Sequence, residues 1–137
     1  MASMTSAQLQ AYLAEARIAD LVTLREDGSP HVAPVWYRYL KGSVCVMAYA
    51  SALKVRNILQ DPRVAISISK HKRPYQYVVL EGIATVSQRD VDQTITDISV
   101  HYRGEAVGIA FARKLLEEGA MVVIKFSPTR TITWLDD

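Results

Sequence analysis

The chain has 137 residues, half of them apolar, which suits one domain with a substantial core. Sixteen basic against fourteen acidic side chains leave a net charge of +2, too weak to point to a nucleic-acid partner. No apolar run approaches the ~20 residues that span a bilayer, and no apolar leader opens the chain, so a cytoplasmic protein with no membrane partner is expected.

Thr5 and Gln8 have the spacing of a capping box and open a predicted helix that runs to about Arg17. Ala7, Leu9, Ala11, Leu13 and Ala14 give it modest apolar stripes. Ile18 to Arg25 reads as a strand and Asp27-Gly28 as a hairpin turn. Pro30 to Leu40 reads as a second strand, Lys41-Gly42 as a second turn and Ser43 to Tyr49 as a third strand. In the second strand Val32, Pro34 and Trp36 point one way, and Ala33, Val35, Tyr37 and Tyr39 the other. Both faces are apolar. One can fill a core, and the other needs a cover: a partner subunit, a flat ligand or a second layer of helices. Cys45, the only cysteine, sits in an apolar run and is expected to be a buried structural thiol. A lone cysteine forms no disulfide within the chain, as suits a reducing compartment.

A short helix is predicted from Ser51 to about Gln60, with Ser51 as N-cap and Asp61-Pro62 as its end. Lys54 then falls in the first turn, where the helix already carries about half a positive charge. A cation there costs roughly 0.3–1 kcal/mol unless an anion joins it. A phosphate held by free backbone N–H groups, the Ser51 hydroxyl and the Lys54 ammonium removes the mismatch. A lysine reaching into water relieves it too.

Val64, Ile66 and Ile68 alternate with Ala65, Ser67 and Ser69, a strand with one core face. Tyr75 to Val86 reads as a long strand, and Gly82 within it marks a bulge or a barrel corner. Val91, Ile95, Ile98 and Tyr102 recur at helical spacing between Arg89 and Arg103. Val107, Phe111 and Leu115 mark a further helix closed by Gly119. Met121 to Phe126 and Thr129 to Leu135 form a hairpin or a bent strand around Ser127-Pro128. Six or seven short strands in hairpin order favour an antiparallel barrel with peripheral helices, a mainly β fold with α elements. No repeat or linker divides residues 1–137, so they are read as one domain.

His31, His71 and His101 lie in different elements without metal-ligand spacing, so no metal is expected. No nucleophile elbow, Cys/His pair or glycine-rich phosphate loop occurs. Lys70, Lys72 and Arg73, near Tyr75 and Tyr77, suit a solvated loop better than a nucleic-acid patch, and Asp136-Asp137 suits a solvated tail. Hydride transfer needs none of these groups. It needs an organic cofactor in a shaped, mostly apolar slot, with an anchor for its phosphate.

Four segments, in order, resemble the split β-barrel flavin and deazaflavin oxidoreductases of the pyridoxamine-phosphate-oxidase-like superfamily. They are Leu21 to Val32, Pro34-Val35-Trp36-Tyr37, Ser51 to Asn57 with Asp61-Pro62-Arg63-Val64, and Tyr77 to Gly82. The Lys54-Val55-Arg56-Asn57, His101-Tyr102-Arg103-Gly104 and Arg130-Thr131-Ile132-Thr133-Trp134 runs are most similar to the branch that uses coenzyme F-420. The resemblance implies a Greek-key, FMN-binding-like antiparallel split β-barrel and a homodimer with two cofactor sites at the interface. It places Lys54 on the cofactor phosphate with Ser51 and Arg56 near it, and Pro34, Val35, Trp36 and Tyr37 beside the ring system. Asn57 is implied to hold the loop by hydrogen bonds and not to touch substrate, and Trp134 to approach from the partner subunit. One departure is Ala48-Tyr49-Ala50, where many relatives carry a phosphate-binding threonine. The implied activity is hydride transfer from reduced F-420 to a small unsaturated or conjugated substrate, with no catalytic side chain assigned; Tyr37, Tyr49 or solvent are the candidate proton sources. The alternatives are an FMN-dependent relative, a non-catalytic flavin- or haem-binding module, and an oligonucleotide-binding barrel.

Overall fold

Two antiparallel sheets and four helices make up the computed structural model, which describes residues 2–136. In chain order the elements are α1 (Ser6–Leu13), β1 (Ala19–Leu24), β2 (Pro30–Val35), β3 (Tyr37–Leu40), β4 (Ser43–Tyr49), α2 (Leu53–Gln60), β5 (Arg63–Lys70), β6 (Gln76–Ile83), β7 (Thr85–Ser87), α3 (Val91–Arg103), α4 (Glu105–Glu118), β8 (Met121–Phe126) and β9 (Pro128–Leu135). The first sheet has the order β2-β1-β5-β6-β9 and the second β3-β4-β8-β7. This is the expected mainly β, split-barrel-like architecture, with the two sheets packed together and not closed into one barrel. Asp137, half of the predicted acidic tail, lies outside the described residues.

The strand count exceeds the six or seven expected because the chain changes sheets in mid-run. Pro30 to Leu40 is not one strand. It pairs with β1 as far as Val35 and with β4 from Tyr37 onward, and Trp36 is the crossing point. Tyr75 to Val86 divides in the same way at Ala84, with β6 in the first sheet and β7 in the second. The run around Ser127 is the bent strand and not the hairpin, since β8 and β9 belong to different sheets. Side chains keep alternating through a crossing, so the hydrophobic pattern carries no mark of the change of partner. Gly82 does mark one. The β6–β9 register shifts between Glu81 and Gly82, and a Cβ on Gly82 would lie 2.8 Å from Phe126 Cδ2 and 2.9 Å from the Ser127 carbonyl oxygen. The Lys41-Gly42 turn holds with both residues at positive φ, 52° and 77°, as a two-residue hairpin of this type requires.

Leu21, Ile66, Ile68, Val78 and Leu80 of the first sheet and Tyr37, Val44, Val46, Ile124 and Phe126 of the second form the buried layer between the sheets. α3 packs on the other face of the second sheet through Ile95 and Ile98. The predicted stripe of α4 is corrected: Gly108 and Ala112 are buried, while Val107 stays exposed. The helices cross too closely for large side chains, because a Cβ on Gly108 would lie 2.5 Å from Val100 Cα. α1 ends at Leu13 and not near Arg17, although its capping box forms as expected. The Arg17 guanidinium turns back to the Tyr12 carbonyl at 2.6 Å. Cys45 is half-buried, not buried, and burial pushes its thiol up.

The outer face of the first sheet is less covered. Cross-strand rows there run Val32–Val22–Ala65–Glu81–Arg130 and Pro34–Asp20–Ser67–Val79–Ile132. Val32 is 56% and Ile132 41% exposed. Among the described residues no helix is long and apolar enough to cross a membrane.

Candidate functional site

Where the chain passes from β2 to β3, it borders a slot of about 380 Å³ lined by Ile18, Pro34, Val35, Trp36, Met47 and Lys54. The crossing places Trp36 at its edge. The Trp36 indole lies parallel to the Tyr102 ring of α3, with centroids 4.8 Å apart and planes 4° apart, and tilts against Phe111 of α4 at 5.4 Å. Parallel and tilted aromatic contacts of this kind fix a ring in place. The Tyr37 N–H donates to the Tyr102 hydroxyl oxygen (3.0 Å), whose own proton goes to the Arg17 carbonyl (2.7 Å).

Lys54 is the one charged residue lining this slot. It is the second residue of α2, and two details differ from expectation. The N-cap is Ala52, not Ser51, and no side chain caps the helix. Ser51 lies one residue further out and is exposed, because the Ala52 N–H is already turned back to the Tyr49 carbonyl. The Val55 and Arg56 N–H groups return to the Ala52 carbonyl, whereas those of Leu53 and Lys54 have no acceptor among the described residues. The first turn contains no acid, and among the described residues Lys54 has no ion-pair partner. Burial alone pushes the Lys54 ammonium below its ordinary value. A cation drawn partly out of water at the positive end of a helix, with two N–H groups beside it that have no acceptor among the described residues, is an arrangement that an anion would stabilise.

Pro34, Val35, Trp36 and Lys54 thus come together, and the other expected residues lie elsewhere. Arg56 and Asn57 border a separate basin of about 220 Å³ with Arg25, Glu26, Leu53 and Gln60. Asn57 is 4% exposed and donates to the Thr23 hydroxyl at 3.0 Å, which ties α2 to β1. The Tyr37 side chain does not flank the slot. It is 1% exposed, its hydroxyl donates to the Glu15 carbonyl at 3.3 Å, and burial raises its pKa well above the ordinary phenol value. That removes Tyr37 as a ready proton source. Trp134 stacks on Tyr77 across β6 and β9 at 5.9 Å and does not line the slot of its own protomer. Ile18 and Met47 line it without having been expected. Ile18 stands 57% exposed just before β1, and Met47 lies between buried Val46 and Ala48 on the opposite face of β4. Lys72 and Arg73 are exposed, with the Arg73 guanidinium 5.9 Å above the Tyr75 ring. Among the described residues no His, Cys, Asp and Glu cluster is arranged to hold a metal ion.

The family model for pyridoxamine 5'-phosphate oxidase matches residues 5–135. A conserved hypothetical protein from Mycobacterium tuberculosis superposes with a TM-score of 0.84 at 21% identity, covering 97% of this chain and 86% of that one. An F-420 reductase gives 0.73 at 22% identity over 90% and 94% of the two chains. A FAD-binding protein from Mesorhizobium loti gives 0.70 at 16% identity over 96% and 93%. At these identities the likeness is one of fold. No curated protein matches the chain.

Proposed function

The chain belongs to the pyridoxamine 5'-phosphate oxidase family of flavin-binding oxidoreductases, and from that premise we propose that it holds reduced coenzyme F-420 in the Trp36–Lys54 slot and reduces a small unsaturated or conjugated substrate there. The observation that carries this is Lys54: partly buried, unpaired among the described residues, and set at the uncapped start of α2 against an apolar slot. Its ammonium and the Leu53 and Lys54 N–H groups bind the phosphate. Pro34, Val35 and Met47 supply apolar wall, and Trp36, held from behind by Tyr102, supplies a rigid aromatic edge. The bound cofactor supplies the hydride. Among the described residues of one protomer no titratable side chain other than Lys54 lines the slot, which favours water over Tyr37 and Tyr49 as the proton source.

The F-420 reductase among the structural neighbours supports this choice of cofactor. Arg25 and Arg56, which border the separate basin, offer cations for an anionic tail. One observation favours FMN as a second reading: the slot contains a single cation, which suits a cofactor with one phosphate.

The same proposal includes a homodimer. On the outer face of the first sheet one cross-strand row ends at exposed Val32 and the next at Pro34, which also lines the slot, so a second subunit on that face would border the cofactor. Trp134, on the same sheet, is the residue expected to reach the partner's site.

Titration of the purified protein with F-420 and with FMN, followed by ligand fluorescence, tests the cofactor. Micromolar binding of F-420 with turnover of a conjugated acceptor is expected. Tighter FMN binding moves the assignment to the second reading, binding of either without turnover leaves a carrier, and binding of neither overturns the oxidoreductase.

A further inference from the structure

Taking the slot as the cofactor site proposed above, we infer that Tyr102 is a positioning residue that fixes the edge of the slot formed by Ile18 and Trp36. It does not line the slot. Its hydroxyl sits between the Arg17 carbonyl and the Tyr37 N–H, at 2.7 and 3.0 Å. Arg17 immediately precedes Ile18, and Tyr37 immediately follows Trp36, and both Ile18 and Trp36 line the slot. One oxygen therefore joins the two backbones just beyond the last β1–β2 pair, Ala19–Val35, where Arg17 and Tyr37 come opposite each other in the same register.

The ring adds a second restraint, because it stacks flat on Trp36 while Phe111 holds the indole from another side. Phe111 is itself covered by the Arg103 guanidinium at 5.1 Å. Trp36 stands where β2 leaves one sheet and β3 joins the other, so the sheets' own ladders fix it least. A helix that contributes no atom to the slot thus supplies the clamp. Burial keeps the Tyr102 hydroxyl protonated, so it can donate and accept at once across the ordinary pH range. A flat cofactor gains from an edge already held in place, because little order is then lost on binding.

The test compares Tyr102→Phe with Ile66→Val in the full chain. Tyr102→Phe keeps the stacked ring and deletes both hydrogen bonds. Ile66→Val trims the core between the sheets, away from the slot, and controls for lost stability. Tyr102→Phe is expected to weaken F-420 or FMN binding by roughly five- to tenfold, the equivalent of one lost hydrogen bond or slightly more. Ile66→Val is expected to bind as the wild type does. Amide exchange by NMR, measured without any cofactor, reads the clamp directly: the Tyr37 N–H is slow in the wild type and at least tenfold faster in Tyr102→Phe. A fast Tyr37 amide in the wild type overturns the inference without needing a variant. So does a Tyr102→Phe affinity within twofold of wild type, or an equal loss in Ile66→Val. If the wild type binds neither cofactor, the functional reading falls and the slot-positioning role falls with it; a retained exchange difference then marks Tyr102 as a structural clamp only.

Discussion

Replacing Lys54 with methionine should stabilise the free protein and weaken the loaded one. Methionine and lysine have similar helix propensity and reach, so the change removes chiefly a charge. In the free protein that charge sits at the positive end of α2, half out of water, with no acid in the first turn. The dipole mismatch costs roughly 0.3–1 kcal/mol, with the lower part more apt because the side chain is partly exposed and screened. For a domain of this size that corresponds to a melting temperature higher by roughly 1–4 °C. The Lys54 pKa is lowered in the folded state from the ordinary 10.5, so the penalty is complete below the folded value. It fades as pH rises toward 10.5, and the gap between variant and wild type should close there. With cofactor the order reverses. Loss of a charge-assisted phosphate contact weakens binding by about 1.5–3 kcal/mol, or roughly 10- to 150-fold. Free ligand at about 100 times the wild-type Kd adds about 2.7 kcal/mol to the wild type and far less to the variant. Thermal melts with and without ligand, across pH, read all three effects. A less stable free variant, or one that binds the cofactor as tightly as wild type, refutes the anion site.

Asn57→Ala leaves the buried Thr23 hydroxyl without its donor and should cost about 1–3 kcal/mol in urea unfolding, with a smaller loss of cofactor affinity than Lys54→Met; equal affinity losses would place Asn57 on the ligand. Gly82→Ala drives a methyl against the Phe126 ring and the Ser127 carbonyl and should destabilise by about 1–3 kcal/mol, and a neutral melt would mean that the corner gives way. Val32→Glu adds a charge to the outer face of the first sheet, where the residue is already exposed in the single chain. Sedimentation should then show a monomer, and an unchanged dimer would put the interface elsewhere.

Local chemistry was legible at the second hairpin turn, at the first helix start and along β4. Lys41-Gly42 turned as the positive-φ turn requires, Thr5 and Gln8 formed their box, and β4 ran from Ser43 to Tyr49 as expected. Long-range pairing was not legible at Trp36, because alternation continues while the hydrogen-bonded neighbour changes from β1 to β4. The α4 stripe misled for a related reason. The spacing of Val107, Phe111 and Leu115 is helical, but contact distance to α3 is set by Gly108. Lys54 and Trp36 could be placed together from the family resemblance. Ile18 and Met47 could not, since an exposed isoleucine before a strand and one methionine on a mixed face carry no signal of a slot. Ser51 looked like a cap by residue type, yet the Ala52–Tyr49 hydrogen bond starts the helix one residue later.

The sheet crossings also govern when the protein can become whole during synthesis. β6 is finished at Ile83, but its second neighbour, β9, begins only at Pro128, beyond α3 and α4. Until β9 has emerged, one edge of β6 stands open beside Tyr77 and Val79, a ready template for pairing with another nascent chain. The α3–α4 pair can close on itself in that interval, since its contacts are local, whereas the first sheet must wait.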